Sequence, residues 1–332
     1  MPPTAVDNVI IPFLRSPGPS DTPNLRESSG SEDFTSYDEC IVVTCAALRR
    51  FNPDISIKLA TNVPVDGRLR VLLDDLGVVS EVIPFTRSVP PGFAVSFSAT
   101  LYYLDVVAHV PSDGALLLDP DVLCIRSIGA LDCPSPDLAM VFPIAYPSDY
   151  VINGLSRREA ARIHEALDGT AGLPEHFGGE FYYIPGCLVQ QVSERLDTAW
   201  ADALLRFDRG LPYFVTEEHF FSYALRPLGP CSPEFGIKRI WTTLRQRNVS
   251  GDEGLYALWH LPSEKGRGFH AMFQCAIDKE SWFWLSSSEL FLHHAGVAMG
   301  LHNRPPLRFI MESLVGTVHE AIAKSRGIER CP

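Results

Sequence analysis

The chain has 332 residues, 46% apolar and 20% charged, with 28 basic against 40 acidic side chains and a net charge of −12. This is the composition of a globular protein and excludes a disordered or collagen-like chain. A field of that sign repels polyanions, so neither nucleic acid nor an anionic membrane surface is an expected partner, and a phosphate-bearing ligand would need a metal ion or a small basic cluster to hold it. No run of about 18 apolar residues marks a transmembrane helix. The opening segment, residues 1–18, lacks the basic, apolar, small-residue order of a secretory leader. The eight cysteines form no Cys-x-x-Cys pair, and several lie in apolar runs such as Val122-Leu123-Cys124. They read as reduced thiols of a cytoplasmic protein.

Strand and helix signals alternate over the first 130 residues. Val9 to Phe13 is a short apolar strand, followed by a long polar loop from Ser16 to Thr35, of the kind that is functional or disordered. Ser36-x-x-Glu39 reads as a capping box opening a helix with Ile41, Cys45 and Leu48 on one face, stopped at Asn52-Pro53. Ile55, Ile57 and Leu59 alternate as a strand. Leu69, Leu72, Leu73 and Leu76 mark a second helix ended by Gly77. Val82-Ile83 is a further strand, and Leu101, Leu104 and Val107-Ala108 a third helix. Ala115 to Leu118 is a buried strand running straight into Asp119. In the second half, Ser156-x-x-Glu159 caps a helix ending near Gly169, and Glu180 to Ile184 is a strand. Leu196, Trp200, Leu204 and Phe207 form a helical stripe ended by Gly210. Thr216 caps a helix to about Leu225, Leu255 to His260 is a strand, and Pro306 to Arg326 is an amphipathic tail helix. The order predicts an α/β fold, Rossmann-like, with a mainly parallel central sheet and a C-terminal helical extension. Residues 1–270 form the ligand-binding domain and 271–332 pack on it. Ligands of such sheets sit beyond the carboxyl ends of the strands, where Asp119 stands.

There is no G-x-G-x-x-G after a strand, no P-loop, no G-x-S-x-G and no H-E-x-x-H, so dinucleotide, P-loop, hydrolase-elbow and zincin chemistries find no motif here. The strongest pattern is Leu116-Leu117-Leu118-Asp119-Pro120-Asp121-Val122: a buried strand that delivers two carboxylates spaced i, i+2, on one side of an extended chain. Two hard oxygen ligands there suit Mn²⁺ or Mg²⁺, which keep further positions for water and phosphate oxygens.

This strand–D-x-D pattern, with Ser98 to Leu104 before it and Ile125 to Ile128 after it, resembles the metal-binding motif of GT-A glycosyltransferases, in particular the glycogenin and lipopolysaccharide-galactosyltransferase group, over roughly residues 8–270. The resemblance implies a GT-A fold and a metal-dependent transfer of a sugar from a nucleotide-diphosphate sugar to an acceptor hydroxyl, with a weak lean towards retention. Asp119 and Asp121 would coordinate the metal on the donor diphosphate. The group carries a late His-x-x-Gly-x-x-Lys segment; here Trp259 to Gly268 offers His260 as third metal ligand and Lys265 and Arg267 as diphosphate cations, but with shorter spacing and no internal glycine. His293-His294 is a rival source of that ligand. The end of the first strand, Phe13 and Arg15, would hold the nucleobase and ribose with the following loop as a lid, and Ser98 joins the donor side.

Phe177-Gly178-Gly179-Glu180 brings a glycine pair that permits close approach of a ligand at Gly179, and a glutamate placed to orient a sugar hydroxyl. In Thr216-Glu217-Glu218-His219 the acidic pair stabilises a helix start or places one carboxylate, Glu218, at the reacting centre as general base or as charge stabiliser. Two other classes stay open. A sugar-phosphate nucleotidyltransferase would need a Gly-rich basic loop after the first strand, which Ser16-Pro17-Gly18-Pro19 matches poorly. A catalytically inactive nucleotide-sugar-binding protein is favoured by the altered His260 segment. The expected acceptor is a small soluble molecule or glycan, and the tail with the Trp282 region is a possible homodimer interface.

Overall fold

The computed structural model describes residues 6–15, 35–94, 97–129, 131, 135 and 137–302. The expected lid loop up to residue 34, Cys133, Cys331 and the tail helix lie outside the described residues.

Strand β1 (Asn8–Phe13) leads to helix α1 (Ser36–Phe51), β2 (Ser56–Thr61), α2 (Gly67–Asp75) and β3 (Val78–Val82). The short α3 (Tyr103–Val106), flanked by 3₁₀ turns, precedes β4 (Ala115–Leu118) and β5 (Val122–Cys124). Then come β6 (Met140–Ile144), the hairpin β7 (Val151–Ile152) and β8 (Leu155–Ser156), α4 (Arg157–Asp168) and β9 (His176–Ile184). Helices α5 (Val189–Asp208) and α6 (Glu217–Leu225) follow, then β10 (Ile237–Arg239), β11 (Leu258–His260), α7 (Gly268–Ala276), α8 (Trp282–Leu285) and α9 (Ser288–Ala298). The main sheet has the order β3-β2-β1-β4-β9-β6. Its first four strands are parallel, and β9 runs antiparallel to both β4 and β6. This is the α/β class with a mainly parallel sheet.

The two-residue period of the strands divides the core. Val9, Ile11, Leu116, Leu118 and Phe181 face α1 and the C-terminal helices. Ile10, Ala115, Leu117 and Tyr182 face α3, α5 and α6. With both faces covered, β4 reads Ala-Leu-Leu-Leu and is wholly buried. A second sheet, β10-β11-β5, lies beyond the D-x-D turn, so one chain segment belongs to both sheets on either side of Pro120.

Several boundaries differ from expectation for local reasons. The first capping box is one residue early: Thr35 accepts from the Asp38 N–H at 3.2 Å and the Asp38 carboxylate from the Thr35 N–H at 3.0 Å. Glu39 turns inward to His270 on α7 instead. The third helix is broken into turns, the strand expected at residues 82–83 covers Val78–Val82, and the strand expected from Leu255 starts at Leu258 behind a 3₁₀ turn. The expected division at residue 270 falls inside α7, whose Phe273 shares one core with α1. Trp282 packs on Phe283, Phe291 and His294 of its own chain. The described cysteines are free, and among the described residues no helix is long and apolar enough to cross a membrane.

The D-x-D turn is stapled to the body of the protein. Thr44 of α1 donates to the Pro120 carbonyl at 2.7 Å, and the Leu261 N–H donates to the Asp121 carbonyl at 3.2 Å. Thr44→Val keeps the shape and removes the buried donor; it is expected to cost about 1–2 kcal/mol in chemical denaturation, and a variant as stable as the parent would contradict the staple.

Candidate functional site

The site is built where β4 ends. The antiparallel register of β11 on β5 pairs His260 with Val122, which puts the imidazole beside Asp121. His260 Nε2 lies 3.4 Å from Asp121 Oδ2 and 3.8 Å from Asp119 Oδ2, while Nδ1 lies 3.0 Å from Glu180 Oε1. One ligand atom from each of Asp119, Asp121 and His260 falls within 4.8 Å of the others. Lys265, in the turn after β11, ion-pairs with Asp121 and stands 5.6 Å from the Tyr37 ring. The Tyr103 hydroxyl donates to Asp119.

Burial, with Asp121 close by, pushes Asp119 up to about 6. Burial works the same way on Asp121, but Lys265 and His260 outweigh it and hold this carboxylate below its usual range. Burial opposes the charge on His260, and Glu180 and Asp121 overcome it, raising the imidazole to about 9. A proton on His260 thus balances part of the acidic cluster in the metal-free protein. Two hard carboxylates and an imidazole suit Mn²⁺ or Mg²⁺. Glu180 on Nδ1 is the type of partner that a metal-ligating histidine takes on its far nitrogen. The residues therefore fit a divalent cation.

A second layer lies behind the first. Glu180 is fully buried and is clasped by Arg239 of β10, through Nε at 2.7 Å and through Nη2. The same Nη2 reaches Glu218 at 2.9 Å. Glu218 Oε1 also accepts from the Gly179 N–H at 3.1 Å, and its Oε2 accepts from the Asn153 amide at 3.3 Å and meets His176 at 3.2 Å. Burial would raise both glutamates. Arg239 and His260 hold Glu180 down to about 2, and His176 and Arg239 hold Glu218 well below its ordinary value. Glu217 is the opposite case. Burial and its neighbour Glu218 push it far up, and its buried Oε2 has no hydrogen-bond partner.

The structure brings Asp119, Asp121, Glu180, Glu218, His260 and Lys265 together. Phe13 and Arg15 stand at the end of β1. The Phe13 ring is 5.4 Å from Tyr37, and Arg15 lies 3.7 Å from Asp38 with its Nη1 buried and unpartnered. Ser98 is half-buried at the start of a 3₁₀ turn. Arg267 is exposed at the N-cap of α7, two residues past Lys265, and the cation on Asp121 is Lys265. One expectation, the rival histidine pair, is corrected. His293 and His294 lie within α9, against His302 and Trp282, and do not join the Asp119–Asp121 cluster. Gly178 and Gly179 are interior residues of β9, which starts at His176 and not at Glu180. A Cβ on Gly179 would strike the Glu217 carboxylate, and one on Gly178 would meet Glu180 and, at 2.9 Å, Arg239. The glycines make room for carboxylates.

Arg239, Tyr103 and His176 were not assigned roles from the sequence, and Glu217 only as one of an acidic pair at a helix start. Asn153 had a signal: Asn153-Gly154 between two short apolar runs is a hairpin turn, and both residues have positive φ, 47° and 90°. Arg239 had none, being a lone arginine on a three-residue strand.

No protein-family model and no curated protein matches the chain. Among solved structures it is similar to galactosyltransferase LgtC in complex with donor and acceptor sugar analogs, at 12% identity over 90% of this chain and 98% of that one, with a TM-score of 0.47. It is similar to an active-site mutant of LgtC at 13% identity over 76% and 86%, with a TM-score of 0.47. It is also similar to the bifunctional glycosyltransferase WbbM in its apo form, at 11% identity over 84% of this chain and 50% of that one, with a TM-score of 0.49.

Two outcomes follow from the geometry. Gly179→Ala drives a methyl into the Glu217–Glu218 pair and is expected to lower stability by about 1–3 kcal/mol; an unchanged denaturation midpoint would contradict the close approach. His260 holds its proton to about 9 against an ordinary 6.5. Its contribution to the metal-free fold is therefore full below pH 6.5 and lost as the pH rises through 9. Chelator-treated protein should lose thermal stability across that interval, and His260→Gln should lose less; identical alkaline limbs in the two proteins would refute the assignment.

Proposed function

We propose that the protein is a metal-dependent GT-A glycosyltransferase, transferring a sugar from a nucleotide-diphosphate donor to the hydroxyl of a small soluble acceptor. The observation that carries this reading is the convergence of Asp119, Asp121, His260 and Lys265 at the carboxyl end of a buried parallel strand. Asp119, Asp121 and His260 would hold Mn²⁺ or Mg²⁺, which when bound neutralises the leaving diphosphate.

The chain's own groups divide the remaining work. Lys265 supplies a cation next to Asp121, and the buried, unpartnered Nη1 of Arg15 supplies another near the end of β1. Tyr37 lies between them, touching the Phe13 ring on one side and the Lys265 ammonium on the other, so the base and ribose of the donor fit at Phe13 and its diphosphate at Lys265. Glu180 and Glu218, both engaged by Arg239, act as positioning residues: Glu180 orients His260, and Glu218 fixes the start of α6. Glu217 has a buried carboxyl oxygen without a partner, a hydrogen-bonding capacity beside Glu218 that a sugar hydroxyl could use. We read the transfer as retaining. Glu180 and Glu218, the two carboxylates next to the Asp119–Asp121–His260 cluster, are both paired with Arg239, so neither is free to take the acceptor's proton as a general base.

Thermal unfolding against a panel of nucleoside diphosphates, each with and without Mn²⁺, tests the reading. Binding to the native state raises the midpoint by mass action. A shift that requires both the metal and one nucleotide is expected, and it should vanish in the Asp119→Ala/Asp121→Ala double variant together with a loss of about a thousandfold or more in transfer. A folded double variant that still turns over would overturn the proposal.

A further inference from the structure

One aromatic feature beside the site has no part in the roles above. Tyr146 and Tyr150 stack with centroids 4.5 Å apart and planes within 2°. Neither ring belongs to the two core clusters of the described residues. Tyr150 is 37% exposed, whereas Tyr146 is half-buried against the site: Arg239 Nη1 donates to its hydroxyl at 3.4 Å, and its ring lies 5.6 Å from that of His176. The pair thus runs from the residues that hold Glu180 and Glu218 to an exposed tyrosine, Tyr150.

The pair is also held rigidly. Arg157 donates from its backbone to the Tyr150 carbonyl at 3.1 Å and from its side chain to the Tyr146 carbonyl. Tyr150 leads directly into β7, and the turn residue of that hairpin, Asn153, places its amide on Glu218 at 3.3 Å and on Thr216 at 3.4 Å. The aromatic shelf and the start of α6 are therefore fixed to each other through a hairpin of six residues.

We propose that the Tyr146–Tyr150 stack is the acceptor platform of this site and takes the apolar face of a pyranose ring. The inference rests on the transferase reading for the word acceptor, but the platform itself is a binding site and can be tested alone. A pyranose ring presents a face of polarised C–H bonds, which matches the negative face of a tyrosine ring, while its hydroxyls stay at the wet edge. Tyrosine gives that surface with two side-chain torsions to order. A neutral shelf adds affinity next to a crowded set of charges without changing their balance.

Saturation-transfer NMR on the full chain, with the methyl and p-nitrophenyl glycosides of glucose, galactose and mannose as probes, tests this in the parent, Tyr150→Ala and Tyr150→Phe. The methyl glycosides should bind the parent, weaken about tenfold in Tyr150→Ala and keep near-parent affinity in Tyr150→Phe, with the Mn²⁺-plus-nucleotide thermal shift the same in all three. Equal binding by Tyr150→Ala, or no glycoside bound by the parent, overturns the platform. Binding confined to the nitrophenyl glycosides overturns the pyranose assignment in favour of an aromatic aglycone. A parent that responds to no nucleoside diphosphate, yet loses methyl-glycoside binding in Tyr150→Ala, would defeat the transferase reading and leave the platform standing.

Discussion

Glu180 is a carboxylate with no exposure, and the rest of the site depends on how its charge is met. A buried carboxylate is tolerated when it is paired and hydrogen-bonded on its oxygens. Arg239 takes both oxygens and His260 takes one of them again. Because the Nδ1 of His260 is committed to Glu180, its Nε2 points at Asp119 and Asp121. Because Arg239 has a second edge, it draws in Glu218 and, with it, the first turn of α6. One ion pair therefore sets the direction of the His260 imidazole, the position of a helix start and the back wall of the shelf formed by Tyr146.

The backbone explains why this charge can be packed so densely. β9 runs antiparallel to β4 with Phe181 opposite Leu118, so Glu180 emerges next to the start of the D-x-D turn. The two residues before it are glycines, and the space that side chains would fill is occupied by the ends of Glu180, Glu217 and Arg239. On the other side, β11 lies antiparallel to β5, which begins one residue after Asp121. The D-x-D turn is thus clamped between a strand that brings a carboxylate and a strand that brings an imidazole. Such clusters cost stability, and their retention fits a site where specific placement is required.

The sequence was most legible where one local rule acted alone. Leu116 to Asp119 could be read as a buried strand ending in a carboxylate because both of its faces are covered, and β1, α4 and α5 followed from period and caps. Legibility fell where two signals competed. Ser36 and Glu39 match the capping pattern as well as Thr35 and Asp38 do, and only the inward path of Glu39 to His270 separates them. Gly178-Gly179 carries the composition of a loop, yet it lies in a strand, because the reason for the glycines is the volume of side chains from α6 and β10, far along the chain. Arg239 was invisible for the same reason: its partners lie 59 and 21 residues away, and nothing in the local sequence marks it. Within Glu217-Glu218 the sequence could not say which carboxylate is spent on an ion pair; that is decided by Arg239, His176 and Asn153.

The central claim is that Glu180 aims His260 at a cation held by Asp119 and Asp121. Electron–nuclear double resonance on Mn²⁺ added to protein carrying ¹⁵N-labelled histidine tests it most directly. The account predicts a bound Mn²⁺ with one histidine nitrogen coupling that disappears in His260→Gln and weakens in Glu180→Gln. Bound Mn²⁺ without a nitrogen coupling, or a coupling that survives His260→Gln, would contradict it.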